Sequence, residues 1–438
     1  MSDAHRDARS LCPLDHHDIH ALMPFKRALA AQYPVPEAFA WYREMLDLPA
    51  GARIAEKPLV PLGEHAAANG LVYRELAPSG VPFSLEPPKV VGAGVVPPAS
   101  YTTRASFVAC VPDVLARGRS SLLETQYAAL QDAEPRERAD VDDWLEVEPG
   151  VFHAGAGSVA IIENATEAIV IPEAFVSLLG VSSRAFGHWL WQYLPAYLTA
   201  HGSGALPPVP ILIDAGMPHQ HRQALELFVP GDARIIEVEP GRTLAIGRAW
   251  LASALSYVPS YYLPQGDEAF ECPHYECAPP ERFAVALAAM RACAARTPAT
   301  GKARVYLARR SNGRHDLVNA DEVEAALAAR GFVTVHPEDL DFAEQIRLVQ
   351  HADYLVGAEG AALYLAFFAH PGAKVADLCQ NRVFGDSIAL TAILASIDVD
   401  VTLVTGEIAG RPEFGYPIFA HFRLDVPAFE QFLGAWLA

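Results

Sequence analysis

Three arginines, Arg309, Arg310 and Arg314, fall within six residues of a chain whose formal net charge is −19. Val305, Tyr306 and Leu307, just before them, form a short β-rich run, so the guanidinium groups emerge at the carboxyl end of a strand. Positive charge there suits a phosphate-bearing ligand and points to one of nucleotide type. Arg309 and Arg314 are the candidates for contacting it, with Gly313 allowing close approach. Strand alternation turns Arg310 to the other face, where a structural role is expected. A second cluster lies at the turn Gly357-Ala358-Glu359-Gly360, which leads from a β-run into an apolar helix. Gly357, Gly360 and Ala361 would present backbone N–H groups at the sheet's carboxyl edge. The plain alternative is a turn in which glycine only satisfies backbone geometry.

Other residues of chemical interest are more dispersed. Asp214, His219 and His221 follow the strand-like Ile211–Ile213, at an edge where ligands bind in such sheets. The simpler reading makes them surface-loop residues. His188 sits in an aromatic helix with Trp189, Trp191 and Tyr193, where a histidine is usually a satisfied core residue. Glu338 and Gln345 are expected to cap and orient a turn and a helix, within reach of a ribose or a base. Asp15, His16, His17, Asp18 and His20 crowd the N-terminus, and Cys272, His274 and Cys277 lie close together. Neither group has zinc-site spacing, and no metal is assigned to them.

The elements that must position these residues alternate along 304–378. Asn319–Glu322 and Asp341–Glu344 both have capping-box spacing, each followed by apolar residues at helical period. Gly331 sits where a helix C-cap glycine belongs. Strands are expected at Val305–Leu307, Phe332–Val335, Tyr354–Val356 and Val375–Leu378, with a buried apolar helix after Gly360 that Pro371 stops. This alternation specifies a doubly wound parallel α/β sheet. Upstream, β-rich runs at Ser106–Val111, Ser120–Leu123, Val159–Ile162 and Ala168–Ile171 precede a helix over 184–200. A strand at Ile211–Ile213, a helix over 217–228 and a strand at Arg234–Val238 complete a second α/β pattern. Residues 1–80 read as an irregular or helical extension. The domain boundaries expected are 1–85 (extension), 86–265 (first α/β domain), a proline-rich hinge at 266–280, and 281–438 (second, Rossmann-like domain).

Composition narrows the class. A chain of 438 residues that is 51% hydrophobic can build two or three proper cores. Its acidity argues against general affinity for nucleic acid or anionic membrane. Six scattered cysteines, no signal-peptide pattern and no membrane-length apolar run suggest a cytoplasmic, reducing compartment. A homo-oligomer is neither indicated nor excluded.

In order and spacing, several of these residues resemble glycosyltransferase family 61. They are Tyr306-Leu307-Ala308-Arg309 with Arg314, Asn319–Glu322, Gly331-Phe332, Pro337-Glu338, Phe342–Gln345 and Gly357–Gly360. His188-Trp189, Leu194-Pro195 and Val258-Pro259-Ser260 extend the similarity to about residues 90–420. The resemblance implies a GT-B fold of two facing Rossmann-like domains. It also implies an inverting, metal-independent transfer of a hexosyl or pentosyl unit from a nucleotide-sugar co-substrate to a glycan or protein hydroxyl, as in bacterial polysaccharide enzymes, with no resident cofactor.

On this reading Arg309, Arg314, Gly357, Gly360, Ala361, Glu338 and Gln345 are donor-side, and Asp214 and His219 acceptor-side. His188 is a candidate base. A carboxylate beside a diphosphate would repel it, so Glu359 is expected to accept from ribose or sugar hydroxyls or to act as a base. The chain departs from the family pattern at Glu359, where members usually carry His, and at Leu365, where they usually carry Asn. Both departures bear on donor identity and leave a catalytically inactive nucleotide- or glycan-binding protein as the alternative. A nicotinamide oxidoreductase is disfavoured because no G-x-G-x-x-G opens a helix after a strand.

Overall fold

The computed structural model describes residues 53–93, 96, 99–132, 150–155, 157–163, 168–256, 277–296, 304–311, 315–383, 385–410 and 420–438. Gly313, Arg314, the N-terminal His/Asp cluster, Cys272 and His274 lie outside the described residues.

The first part of the chain is rich in strands: β1 (Arg53–Pro61), β2 (Val72–Ala77), β3 (Pro82–Leu85), β4 (Lys89–Val91), β5 (Ala99–Thr102), β6 (Ser106–Arg117), β7 (Leu123–Glu124), β8 (Ala129–Gln131), β9 (Val151–Gly155) and β10 (Ser158–Glu163). Next come β11 (Ile169–Ser177), β12 (Ile211–Asp214), β13 (Ile235–Val238) and β14 (Thr243–Ala252). An 11-stranded sheet runs β13-β12-β11-β14-β6-β7-β8-β1-β10-β9, with β2 also on β6. β13, β12, β11 and β14 pair in parallel, the sheet turns antiparallel from β14 to β6, and β8 and β1 pair in parallel again. The first half therefore has its own α/β sheet, but a mixed one. β14 is reached through the short turn at 239–242 rather than a crossover helix.

The expectation of an irregular or helical stretch up to residue 80 fails for its described part. β1 pairs along its length with β10 and then β8. Pro58, Pro61 and the charges of RIAEKPLVP hide the strand from a local pattern.

The second sheet is the expected parallel one. It contains β15 (Arg304–Leu307), β16 (Val333–Val335), β17 (Tyr354–Ala358), β18 (Lys374–Gln380), β19 (Asp400–Ile408) and β20 (Phe422–Arg423). Its order is β16-β15-β17-β18-β19-β20, with β4 also paired in parallel to β19. Numbered from β15, the parallel strands run 2-1-3-4-5, so the order reverses between β15 and β17. Ligands of such sheets bind at this switch point, outside the strands' carboxyl ends. Runs such as Lys374–Gln380, buried at every position but the first, suit a sheet covered on both faces.

One face is covered by the helices Ala320–Ala328 and Val426–Trp436 through Val323, Leu327, Phe429 and Leu433. The other is covered by the helix Phe342–Gln350 and the 3-10 helix Ala361–Phe368. This second core is continuous with the first half: Val176, Trp189, Trp191 and Ile213 join Phe283, Leu307, Phe342 and Phe367 in one buried cluster. Cys277 and Ala278, at the end of the expected hinge, are fully buried within it.

The two Asx-x-x-Glu pairs part company. Asp341 and Glu344 form a reciprocal capping box. Asn319 makes no cap; its amide instead bridges both backbone groups of Leu424, at 3.0 and 3.2 Å.

Candidate functional site

At the switch point β15 ends at Leu307, and Ala308 still donates to Val335 O at 2.8 Å. Arg309 follows, half-buried, and its Nη1 donates to the Glu359 carbonyl oxygen at 3.0 Å. Gly360 adopts φ 140° and ψ −170°, in the positive-φ region that favours glycine. A Cβ at this position would lie 2.9 Å from Arg309 Nη1. Glycine is thus required for the backbone turn, and a side chain there would also displace the guanidinium lying over it. Ala361 opens the apolar helix, which is 3-10 over its eight residues rather than α. The structure therefore brings together Arg309, Glu359, Gly360 and Ala361, from the ends of the two strands that flank the reversal.

Several residues are placed differently from their expected roles. Gly357 serves packing: a Cβ there would meet Leu363 Cδ2 at 2.8 Å, so its lack of a side chain seats the 3-10 helix on the sheet. Glu359 is 4% exposed, and its backbone N–H donates to Leu378 O at 2.7 Å. What it offers Arg309 is its carbonyl, while its carboxylate is enclosed. Arg310 turns outward as expected and grips Asp339 at 2.8 and 2.6 Å and Glu338 at 3.0 Å. The Asp339 hydrogen bonds raise the Arg310 pKa, and the guanidinium in turn lowers that of Asp339. Glu338 is thereby held by Arg310. Gln345 is 2% exposed and donates to Pro337 O at 2.7 Å, which orients the turn before its helix.

The first half reaches this site through two segments. The helix Phe186–His188 runs on into a π-helical turn, Trp189–Tyr193, and then into Leu194–Gly202. Gly187 is the crossing point: a Cβ on it would lie 3.3 Å from Ala361 Cβ and 3.2 Å from the Tyr364 ring. His188 is the next residue, partly buried, with Nδ1 3.1 Å from Gln192 Oε1. The helix His219–Glu226 clamps the loop before Phe342. Gln220 Nε2 donates to Glu338 O and Leu340 O, both at 3.1 Å. Gln223 donates to Asp341 Oδ1 at 3.0 Å and accepts from Phe342 N at 2.9 Å. His219 Nε2 lies 3.4 Å from Asp341 Oδ1, with both side chains exposed. Two glutamines at i and i+3, which share one helix face, are the sequence signal for this clamp.

Asp214 is no surface-loop residue. It is 1% exposed and accepts from Gly180 N at 2.9 Å, Ser183 Oγ at 2.6 Å and Arg119 N, tying three loops at the carboxyl edge of β12. Burial pushes its pKa up to about 6, against the opposing hydrogen bonds from Ser183, Gly180 and Arg119. His221 is fully buried, with its ring 5.4 Å from Trp189 and 5.6 Å from Phe186, stacked on both. Burial lowers its pKa to about 3, so it is neutral near pH 7. Among the described residues no three His, Cys, Asp or Glu side chains converge as metal ligands, and no helix is long and apolar enough to cross a membrane.

The segment that contains His188, Asp214, the helix His219–Glu226, Arg309 and the 359–361 turn, residues 186–376, matches the family model described as Glycosyltransferase 61. Over these residues the chain is similar to glycosyltransferase family 61. The matched region begins at Phe186, one residue before the Gly187 crossing, and extends past the 359–361 turn. It therefore includes both His188 and Arg309. No curated protein matches the chain.

Proposed function

We propose that this chain is an inverting glycosyltransferase of GT-B arrangement, acting in the cytoplasm without a metal. It would move a hexosyl or pentosyl unit from a nucleotide sugar to a hydroxyl of a glycan or protein. The observation that carries this reading is the Arg309 guanidinium, held against the Glu359 carbonyl over Gly360 at the β15/β17 reversal. Transfer from a nucleotide sugar builds negative charge on the departing diphosphate. A fixed guanidinium and a helix start stabilise that charge without reorganising during the reaction. The anomeric carbon would sit beyond the diphosphate, with the acceptor oxygen entering from the opposite face in one inverting displacement. His188 is the base candidate on the first half, since its neighbour Gly187 abuts Ala361. A partly buried imidazole, held by Gln192, suits that task.

A nucleotide-sugar panel tests the reading. One or more members should raise the melting temperature and be turned over to free nucleotide. Arg309→Ala should abolish the thermal shift, whereas Arg310→Ala, which removes an exposed arginine already paired with Asp339, should retain it. Full retention of the shift in Arg309→Ala would remove the site from the mechanism.

A further inference from the structure

A cavity of about 300 Å³ lies in the first part of the chain. It sits between the helix Leu62–Ala68, β2, the start of β6 and residues 254–256 after β14. Apart from Ala254 and Ser256, its lining precedes residues 186–376, and none of it belongs to the candidate donor site. Its volume is at the lower end for small-molecule sites.

The chemistry of the lining is specific. Tyr73 and Phe107 form an aromatic wall, with ring centroids 5.0 Å apart. Gly63 makes room for it, because a Cβ there would press on the Tyr73 ring at 3.3 Å. Glu64 and Glu75 line the same space. Asp132 lines it as well, its Oδ2 accepting from Ala254 N at 2.7 Å, and Arg104 adds a guanidinium. Ser256 is 3% exposed, and its Oγ is buried without a hydrogen-bond partner, which leaves a donor and acceptor for a guest to satisfy.

Three carboxylates would repel an anion such as a nucleotide, and the arginine disfavours a simple cation. A neutral polyol satisfies both, because its hydroxyls donate to carboxylates and accept from the guanidinium while one ring face lies on an aromatic side chain. We infer that this cavity is a binding site for a neutral saccharide segment of a glycan. It does not rest on the proposed transfer reaction. Where that reaction holds, the site would tether a glycan acceptor outside the transfer centre.

The test titrates the full chain, without any nucleotide, against cellohexaose, xylohexaose and chitohexaose, followed by calorimetry and saturation-transfer NMR. At least one should bind at millimolar concentration. Tyr73→Ala should weaken it about tenfold or more, the loss of one aromatic contact. Because Tyr73 also packs on Phe107, Glu75→Gln and Ser256→Ala serve as milder variants; each should weaken binding several-fold at unchanged melting temperature. Arg309→Ala should leave saccharide binding intact, so failure of the donor reading and failure of this one are read separately. Absence of binding by all three saccharides overturns the inference. So does binding indifferent to all three cavity variants, or preference for an anionic oligosaccharide such as oligogalacturonate.

Discussion

Arg309 and Arg310 are adjacent and chemically identical, yet the fold gives them opposite situations. Arg309 turns onto the Glu359 carbonyl, and Arg310 turns outward onto Asp339 and Glu338. Alternation along the strand made that division legible in the sequence. The consequence for Gly360 was not legible, because it depends on where Arg309 comes to rest. Gly360→Ala should cost about 1–3 kcal/mol in urea denaturation, from a side chain at positive φ and its contact with Arg309. It should also weaken nucleotide binding, whereas Arg310→Ala should leave both stability and binding nearly unchanged, as expected for an exposed ion pair. Glu359 illustrates the limit of residue-type reasoning. A carboxylate at the turn beside Arg309 suggests a base or a hydroxyl acceptor, but the chain turns its carbonyl to Arg309 and encloses the carboxylate.

At the scale of elements, local signals held where the partner is local. The Asp341–Glu344 capping box formed because both groups lie within one helical turn. Asn319, at the same spacing from Glu322, found a stronger partner in the Leu424 backbone, which no local pattern could reveal. The helix His219–Glu226 shows the same dependence. Its glutamines became a clamp between the two halves because the 337–342 loop lies opposite. Gln223→Ala removes two hydrogen bonds, including the acceptor for Phe342 N, and should cost about 1–2 kcal/mol by chemical denaturation. Asp341→Ala should cost at least as much, since it loses the cap as well. If Gln223→Ala leaves stability unchanged, the clamp does not hold the halves together in solution.

At the scale of the molecule, the two sheets share one core around Trp189, Trp191, Phe283 and Phe367, and His221 is buried where the halves meet. The folded pKa of His221 is depressed, so its stabilisation is full above the unfolded value of 6.5 and is lost as pH falls toward about 3. The maximal slope is about 1.4 kcal/mol per pH unit. Asp214 works in the opposite sense. With its folded pKa raised to about 6, its contribution declines as pH rises from 3.8 through 6, which partly offsets the histidine in that window. His221→Phe, which keeps the stack on Trp189, should therefore flatten the acid limb of stability between pH 6.5 and 3; an unchanged limb would place the titration elsewhere. The sequence by itself determined β15, β16, β17 and β18 of the second sheet, because buried parallel strands and their connecting helices carry their pattern within a few consecutive residues. It also marked Arg309 and the 357–361 turn, whose residue types stand out from an acidic chain. Only the tertiary structure decided that β19 extends the sheet and takes β4 alongside it, that β1 and β2 are strands, and that Asp214 and His221 lie inside. Each of these depends on contacts between residues far apart in the chain, and such contacts leave no trace in local composition or spacing.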